Sequence, residues 1–126
     1  IEDSGGAGKY RGGLGIRRVV RPMGHETVFS GMGERFKHQP WGIFGGGPGG
    51  TGRFSVQGPN HNDETLPDKP NRVPLGPDDA VIIETPGAGG YGEPSERDAD
   101  ALAADYRGGK FSAEYLRKNY GFEPAE

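Results

Sequence analysis

Cysteine is absent from all 126 residues. That excludes a disulfide framework, a thiolate metal site and a cysteine nucleophile, and it fits a cytoplasmic address. No apolar run approaches the ~18–20 residues needed to cross a bilayer, and no charged-then-apolar leader is visible. Strong charge of one sign is missing too. With a net charge of −3, neither a nucleic acid nor an anionic membrane is an expected partner. Large hydrophobes are scarce: Leu, Ile, Val and Phe total 22 of 126 residues, below the ~20% at which independent folding becomes doubtful. Tryptophan occurs once, at Trp41.

What the chain has instead is 25 glycines and 11 prolines. Small net charge, six Phe and five Tyr argue against plain disorder. The expectation is a glycine-rich domain that finishes its core against other protein, with its surplus apolar surface as the interface. The length allows one domain at most. Within it, residues 1–94 read as a glycine-rich, mainly β part, barrel-like or sheet-like. Residues 95–126 read as a helical hairpin packed on that part or on a partner subunit. Charge is uneven: residues 1–57 carry eight basic and four acidic side chains, and residues 58–92 carry two and six. Internal pairing is one explanation, and a cationic surface facing an anionic substrate or acidic subunit is the other.

The central stretch runs from Arg35 to Arg53, R-F-K-H-Q-P-W-G-I-F-G-G-G-P-G-G-T-G-R. Trp41 and Phe44 read as a hydrophobic foot that holds a bare main-chain loop in place. Tyr91 and Tyr120 join them as structural or interface residues. Glycine reaches positive φ without strain and leaves the backbone uncovered. Gly45, Gly46, Gly47, Gly49 and Gly50 could therefore hold an anion in a nest of N–H groups, or form a packed turn. The G-x-G-x-x-G match at Gly45, Gly47 and Gly50 lacks the helix a dinucleotide site needs, because Arg53–Gln57 alternates as a strand. Lys9 follows Gly8 as in a phosphate loop, but Asp3 and Tyr10 stand where that motif needs Gly and Ser/Thr. Arg35, Lys37 and His38 are cations beside the glycine loop. They could hold a carboxylate, phosphate or carbonate group and stabilise developing negative charge, or serve as interface charge.

Along the chain, residues 14–21 and 25–30 read as two strands of a hairpin around Pro22-Met23-Gly24, with Leu14, Ile16 and Val20 on one face. Arg18 interrupts that face and is expected near an end or paired with a carboxylate. Residues 58–78 read as a proline-rich connector, and 79–85 as an interior strand. Ser95 with Asp98 reads as a helix cap before the Ala99, Leu102, Ala103, Tyr106 stripe. A second helix starts at the Ser112 cap, stapled by Phe111 and Leu116 and closed by Gly121. The histidines, His25, His38 and His61, show no metal-ligand spacing, so no metal is assigned. His61-Asn62-Asp63-Glu64 reads as solvated loop polarity. No serine has a nucleophile-elbow setting.

Four segments carry a resemblance: S-G-G-A-G-K-Y-R-G-G-L-G (4–15), P-W-G-I-F-G-G-G-P-G (40–49), E-T-P-G-A-G-G-Y-G-E-P (84–94) and R-G-G-K-F-S-A-E-Y-L-R-K-N-Y-G (107–121). In this order they resemble the C-terminal portion of hydantoinase B-type subunits. That family includes N-methylhydantoinase, 5-oxoprolinase, acetone carboxylase and acetophenone carboxylase. The resemblance implies an ATP-dependent enzyme in which an A-type subunit activates the substrate oxygen and a B-type subunit completes hydrolysis or carboxylation. It implies larger A-type and B-type subunits as partners, ATP and a divalent metal held on those partners, and bicarbonate as co-substrate. No cofactor is assigned to this chain, because the family's metal-binding and catalytic side chains lie mostly in the N-terminal part. A chain of this length resembles the small subunit of an acetophenone carboxylase-type complex. A hydantoinase or 5-oxoprolinase fragment and a purely structural assembly module are the alternatives. His38-Gln39 departs from the family's usual residues before P-W-G.

Overall fold

The computed structural model describes residues 1–125. The fold is mainly β, with two short helices at the C-terminal end. Its strands are β1 (Arg17–Val20), β2 (Thr27–Phe29), β3 (Arg53–Gly58), β4 (His61–Leu66), β5 (Val73–Leu75) and β6 (Ala80–Glu84), followed by α1 (Ala99–Arg107) and α2 (Ala113–Tyr120). An antiparallel sheet runs β1-β6-β3-β4, and a two-stranded sheet pairs β2 with β5.

Strand β6 lies inside the larger sheet because Ala80 and Val81 are apolar and buried, as a strand covered on both faces requires. The strand pairing corrects the sequence expectations here. The first two strands do not form a hairpin: β1 pairs with β6 and β2 with β5. Residues 58–78 are not a bare connector, since they hold β4 and β5. The faces of β1 are also uncovered, with Val19, Val20 and the preceding Ile16 exposed; Arg18 stands near the start of the strand, as expected, and it is its neighbour Arg17 that pairs with Glu84.

The glycine-rich segments build the centre without side chains. Gly47 and Gly50 donate to the carbonyls of Ala7 and Ser4 at 2.7 Å each. Gly90 and Gly87 donate in turn to Gly47 and Gly50 at 2.9 and 3.0 Å, and Gly6 donates to Ala88 at 2.8 Å. Three backbone segments thus close a ring of donors and acceptors that repeats every third residue. Three residues per turn is the period of polyproline-II and collagen-like bundles, where only glycine fits at a crowded axis. A β-carbon on Gly90 would overlap the carbonyl oxygen of Ala7, and one on Gly87 that of Ser4. Close approach, not positive φ, demands most of these glycines; in the Gly45–Gly52 loop only Gly45 has positive φ, at 89°.

Two small apolar clusters flank this bundle. Val56, Leu75 and Val81 join the sheets, and Leu102, Phe111 and Leu116 lie under the helices. Full burial of Phe111 and Leu116 stabilises by ~1.5–3 kcal/mol each. The α2 cap is Ser112, whose side chain accepts from Tyr115 N–H, and Gly121 ends the helix at φ 61°. The α1 cap is Asp98 and not Ser95; its carboxylate accepts from Asp100 and Ala101. The helix pair packs on residues 3–12: Tyr115 donates to Gly5 C=O at 2.7 Å, and Gly8 N–H donates to Tyr120 Oη at 3.0 Å.

Substitution by alanine separates the two possible needs for glycine. Gly90→Ala is expected to cost about 3 kcal/mol or more, because neighbouring backbone must move. Gly47→Ala should cost under about 1 kcal/mol, since its β-carbon meets only ordinary contacts with Ala7 from 3.5 Å. Urea denaturation of both variants checks this, and equal losses would contradict the packing account.

Candidate functional site

The loop that carries the sequence-predicted residues turns outward. Phe44 is held at φ 50° and Arg35 at φ 58°, conformations that cost a bulky residue of order 1–3 kcal/mol. The result is an exposed aromatic face. Phe44 meets Tyr91 edge-on at 5.2 Å and Tyr91 meets Tyr10 at 6.1 Å. Main-chain bridges from Tyr91 to Tyr10 and to Ile43 fix the arrangement.

Trp41 corrects an expectation. It is 67% exposed and Phe44 is 72% exposed, so neither is a buried foot. The glycine bundle anchors the loop, and the aromatic rings are displaced to its surface. Arg35 lies with its guanidinium 4.5 Å from the centroid of the Trp41 ring, a cation–π contact. Lys37 reaches Asp68 at 3.7 Å, and His38 is exposed. The three cations therefore follow one another in sequence but point to different surroundings.

Four of the five predicted loop amides, all but that of Gly45, have partners within the fold. Gly46, Gly47, Gly49 and Gly50 donate to Ile43, Ala7, Pro40 and Ser4. A ligand facing them meets carbonyls and side chains, not a row of free N–H donors. A hollow of about 480 Å³ does open between Gly47, Gly50 and α2. Gln39, Asp3, Lys118 and Asn119 supply its polar wall. Gln39 donates to Gly49 C=O at 3.1 Å, and Asp3 accepts from the N–H and hydroxyl of Ser112 at 2.7 Å each. Among the described residues no group of three His, Asp or Glu side chains is placed to hold a metal. Among the described residues, too, no helix is long and apolar enough to cross a membrane.

Three carboxylate hubs escaped the sequence reading. Asp105 is buried and receives Arg97 at 2.6 Å, Arg11 at 3.1 Å and Lys110 at 3.5 Å. Its signal was available: it stands three residues after Leu102, on the buried side of α1, where the expected stripe had Tyr106. Glu84 sits between Arg17 of β1 and Arg53 of β3, opposite both in register. Asp79, fully buried, accepts from Asn60 and Gly76. His61 is likewise no solvated loop residue. Its ring is 11% exposed, with Nδ1 2.8 Å from Glu64 and Nε2 2.9 Å from the Pro74 carbonyl. Two acceptors on two ring nitrogens call for the doubly protonated imidazolium.

These hubs shift proton affinities in opposite senses. Burial works against the charge of Glu84 and Asp105, yet Arg17 and Arg53, and Arg97 and Arg11, hold them below the usual carboxylate range. Asp79 is also lowered, by the Gly76 and Asn60 donors acting against desolvation. The Glu64 hydrogen bond, then the Pro74 carbonyl, raises His61 above its ordinary 6.5. Burial pushes Tyr115 up to about 12.

The signs fix the pH profile. Lowered carboxylates contribute stability that is complete above ~pH 4–4.5 and lost as pH falls through their depressed values. Raised His61 contributes stability that is complete below pH 6.5 and lost as pH rises through its elevated value. Melting temperature is therefore expected to peak between about pH 4.5 and 6.5. His61→Gln should flatten the alkaline limb in a thermal melt series, and a wild type without that limb would contradict the imidazolium assignment.

Comparison with known proteins follows the glycine framework. The Hydantoinase B/oxoprolinase family matches residues 1–94. An uncharacterised protein of Methanocaldococcus jannaschii is 40% identical over 94% of this chain and 21% of its own length. The caprolactamase subunit beta of Pseudomonas jessenii is 32% identical over 96% of this chain and 21% of its own. The acetone carboxylase alpha subunit of Xanthobacter autotrophicus is 30% identical over 94% and 20%. The crystal structure of the ATP-dependent caprolactamase from Pseudomonas jessenii superposes with a TM-score of 0.79 at 29% identity, covering 99% of this chain and 22% of that one. The chain thus spans about a fifth of the length of these relatives. By the match of residues 1–94 and the shared fold, this chain belongs to the hydantoinase B/oxoprolinase family.

Proposed function

We propose that this chain supplies the glycine-cored portion of a B-type component in an ATP-dependent enzyme acting at a carbonyl carbon. The single observation that carries the reading is the likeness of nearly the whole chain to one fifth of a caprolactamase subunit and of an acetone carboxylase subunit. Its work is to complete the B-type fold and wall part of the active cavity. ATP and a divalent metal belong to the larger A-type and B-type partners.

The finer reading is the small subunit of an acetophenone carboxylase-like enzyme that joins bicarbonate to an aromatic or aliphatic ketone. Arg35 and His38 are the side chains proposed to meet substrate or bicarbonate, with Lys37 adding positive charge nearby. Stacking on Trp41 orients the Arg35 guanidinium, and its planar fork suits a carboxylate or bicarbonate. A cation so placed stabilises negative charge developing on oxygen. The caprolactamase likeness favours a second reading, an amidohydrolase that opens a cyclic amide.

Assay of the purified assembly for ATP consumption separates these. Consumption that requires both ketone and bicarbonate is the expected result; consumption with cyclic amides alone would support the amidohydrolase. Arg35→Ala and His38→Ala should each lower kcat about tenfold or more while the assembly stays intact. Unchanged turnover in both would leave the chain a purely structural module.

A further inference from the structure

We propose that β1 is an open docking edge that takes up an extended, carboxylate-bearing strand from another polypeptide. The four-stranded sheet ends in β1 on one side and β4 on the other, and the two edges are built differently. β4 reads H-N-D-E-T-L, its pairing shifts register between Val56 and Gly58, and Asp63 stands at φ 45°. Charge, a bulge and a kinked backbone are the devices that keep an edge from pairing.

β1 has neither bulge nor kink among its residues, and the charge it carries is all positive, on Arg17 and Arg18. It reads R-R-V-V, and its register with β6 is unbroken from Arg17–Glu84 to Val20–Val81. Ile16, Val19 and Val20 are 57%, 52% and 46% exposed. Successive side chains point to opposite faces, so neither face of this strand is covered. Thr85 N–H donates to Ile16 C=O. Alternation along the ladder then turns Arg18 and Val20 toward β6, and the N–H and C=O groups of Arg17 and Val19 outward. Two donors and two acceptors in a row form a template for strand addition.

Charge selects the occupant. Arg18 is exposed and makes no ion pair among the described residues. Arg17 remains 60% exposed beside Glu84, and Arg21 reaches only the Asp78 carbonyl at 2.6 Å. A second copy pairing β1 on β1 would set these guanidinium groups against each other, which is destabilising. A strand that alternates carboxylates with β-branched residues satisfies both the arginines and the valines. The inference stands apart from the enzymatic reading.

Titration of the 15N-labelled full chain with a blocked heptapeptide alternating Glu with Val and Thr tests it. Amide shifts should be confined to residues 16–21, with exchange of Arg17 and Val19 amides slowed. Val19→Pro removes an outward donor without touching the β6 ladder, and Arg18→Glu reverses the free charge. Each should weaken binding by about tenfold or more, about 1.4 kcal/mol. No shift, shifts elsewhere, equal binding of a Lys-for-Glu peptide, or unchanged binding by both variants would overturn the proposal.

Discussion

Three backbone segments cross so closely that at Gly6, Gly49, Gly87 and Gly90 no β-carbon fits, and the rest of the molecule is arranged around that crossing. Main-chain hydrogen bonds among Ser4–Ala7, Gly47–Gly50 and Gly87–Gly90 do there what side-chain packing does elsewhere. A chain with so few large hydrophobes can hold an ordered centre in this way, since each satisfied amide avoids the cost of an orphaned buried group. The same constraint sends bulk outward. Residues joined to the bundle, among them Tyr10, Ile43, Phe44 and Tyr91, have nowhere to go but the surface.

Polar hubs tie the remaining parts to the bundle. Asp105 joins α1 to Arg11 and Arg97, Glu84 joins three strands, and Asp79 with His61 joins the ends of β4, β5 and β6. Each collects partners from segments distant in sequence. Where both partners are buried, as for Asp105 and Arg97, removing one leaves the other uncompensated. Specific tethering thus accompanies modest apolar burial, and an exposed aromatic face is the consequence.

Legibility in the sequence followed the range of the interactions. The α2 helix was readable because the Ser112 cap, the Phe111–Leu116 staple and Gly121 all lie within one short segment. Likewise β6 announced itself by Ala80-Val81-Ile82-Ile83. β4 did not, since an exposed edge strand of H-N-D-E-T-L has no apolar alternation to read, and β5 is three residues long with Pro74 at its centre. The apparent β1–β2 hairpin failed because non-local partners outcompeted the nearby turn. At the candidate site, the Arg35–Trp41 neighbourhood was visible in the residues. The exposure of Trp41 was not, because it depends on which glycines lack space for a side chain.

Amide hydrogen exchange at single-residue resolution tests the central claim most directly. The glycine amides at 6, 47, 50, 87 and 90 should exchange as slowly as those of the Phe111–Leu116 cluster, at the rate set by global unfolding. Fast exchange at those glycines, with protection confined to the sheets and helices, would contradict the account.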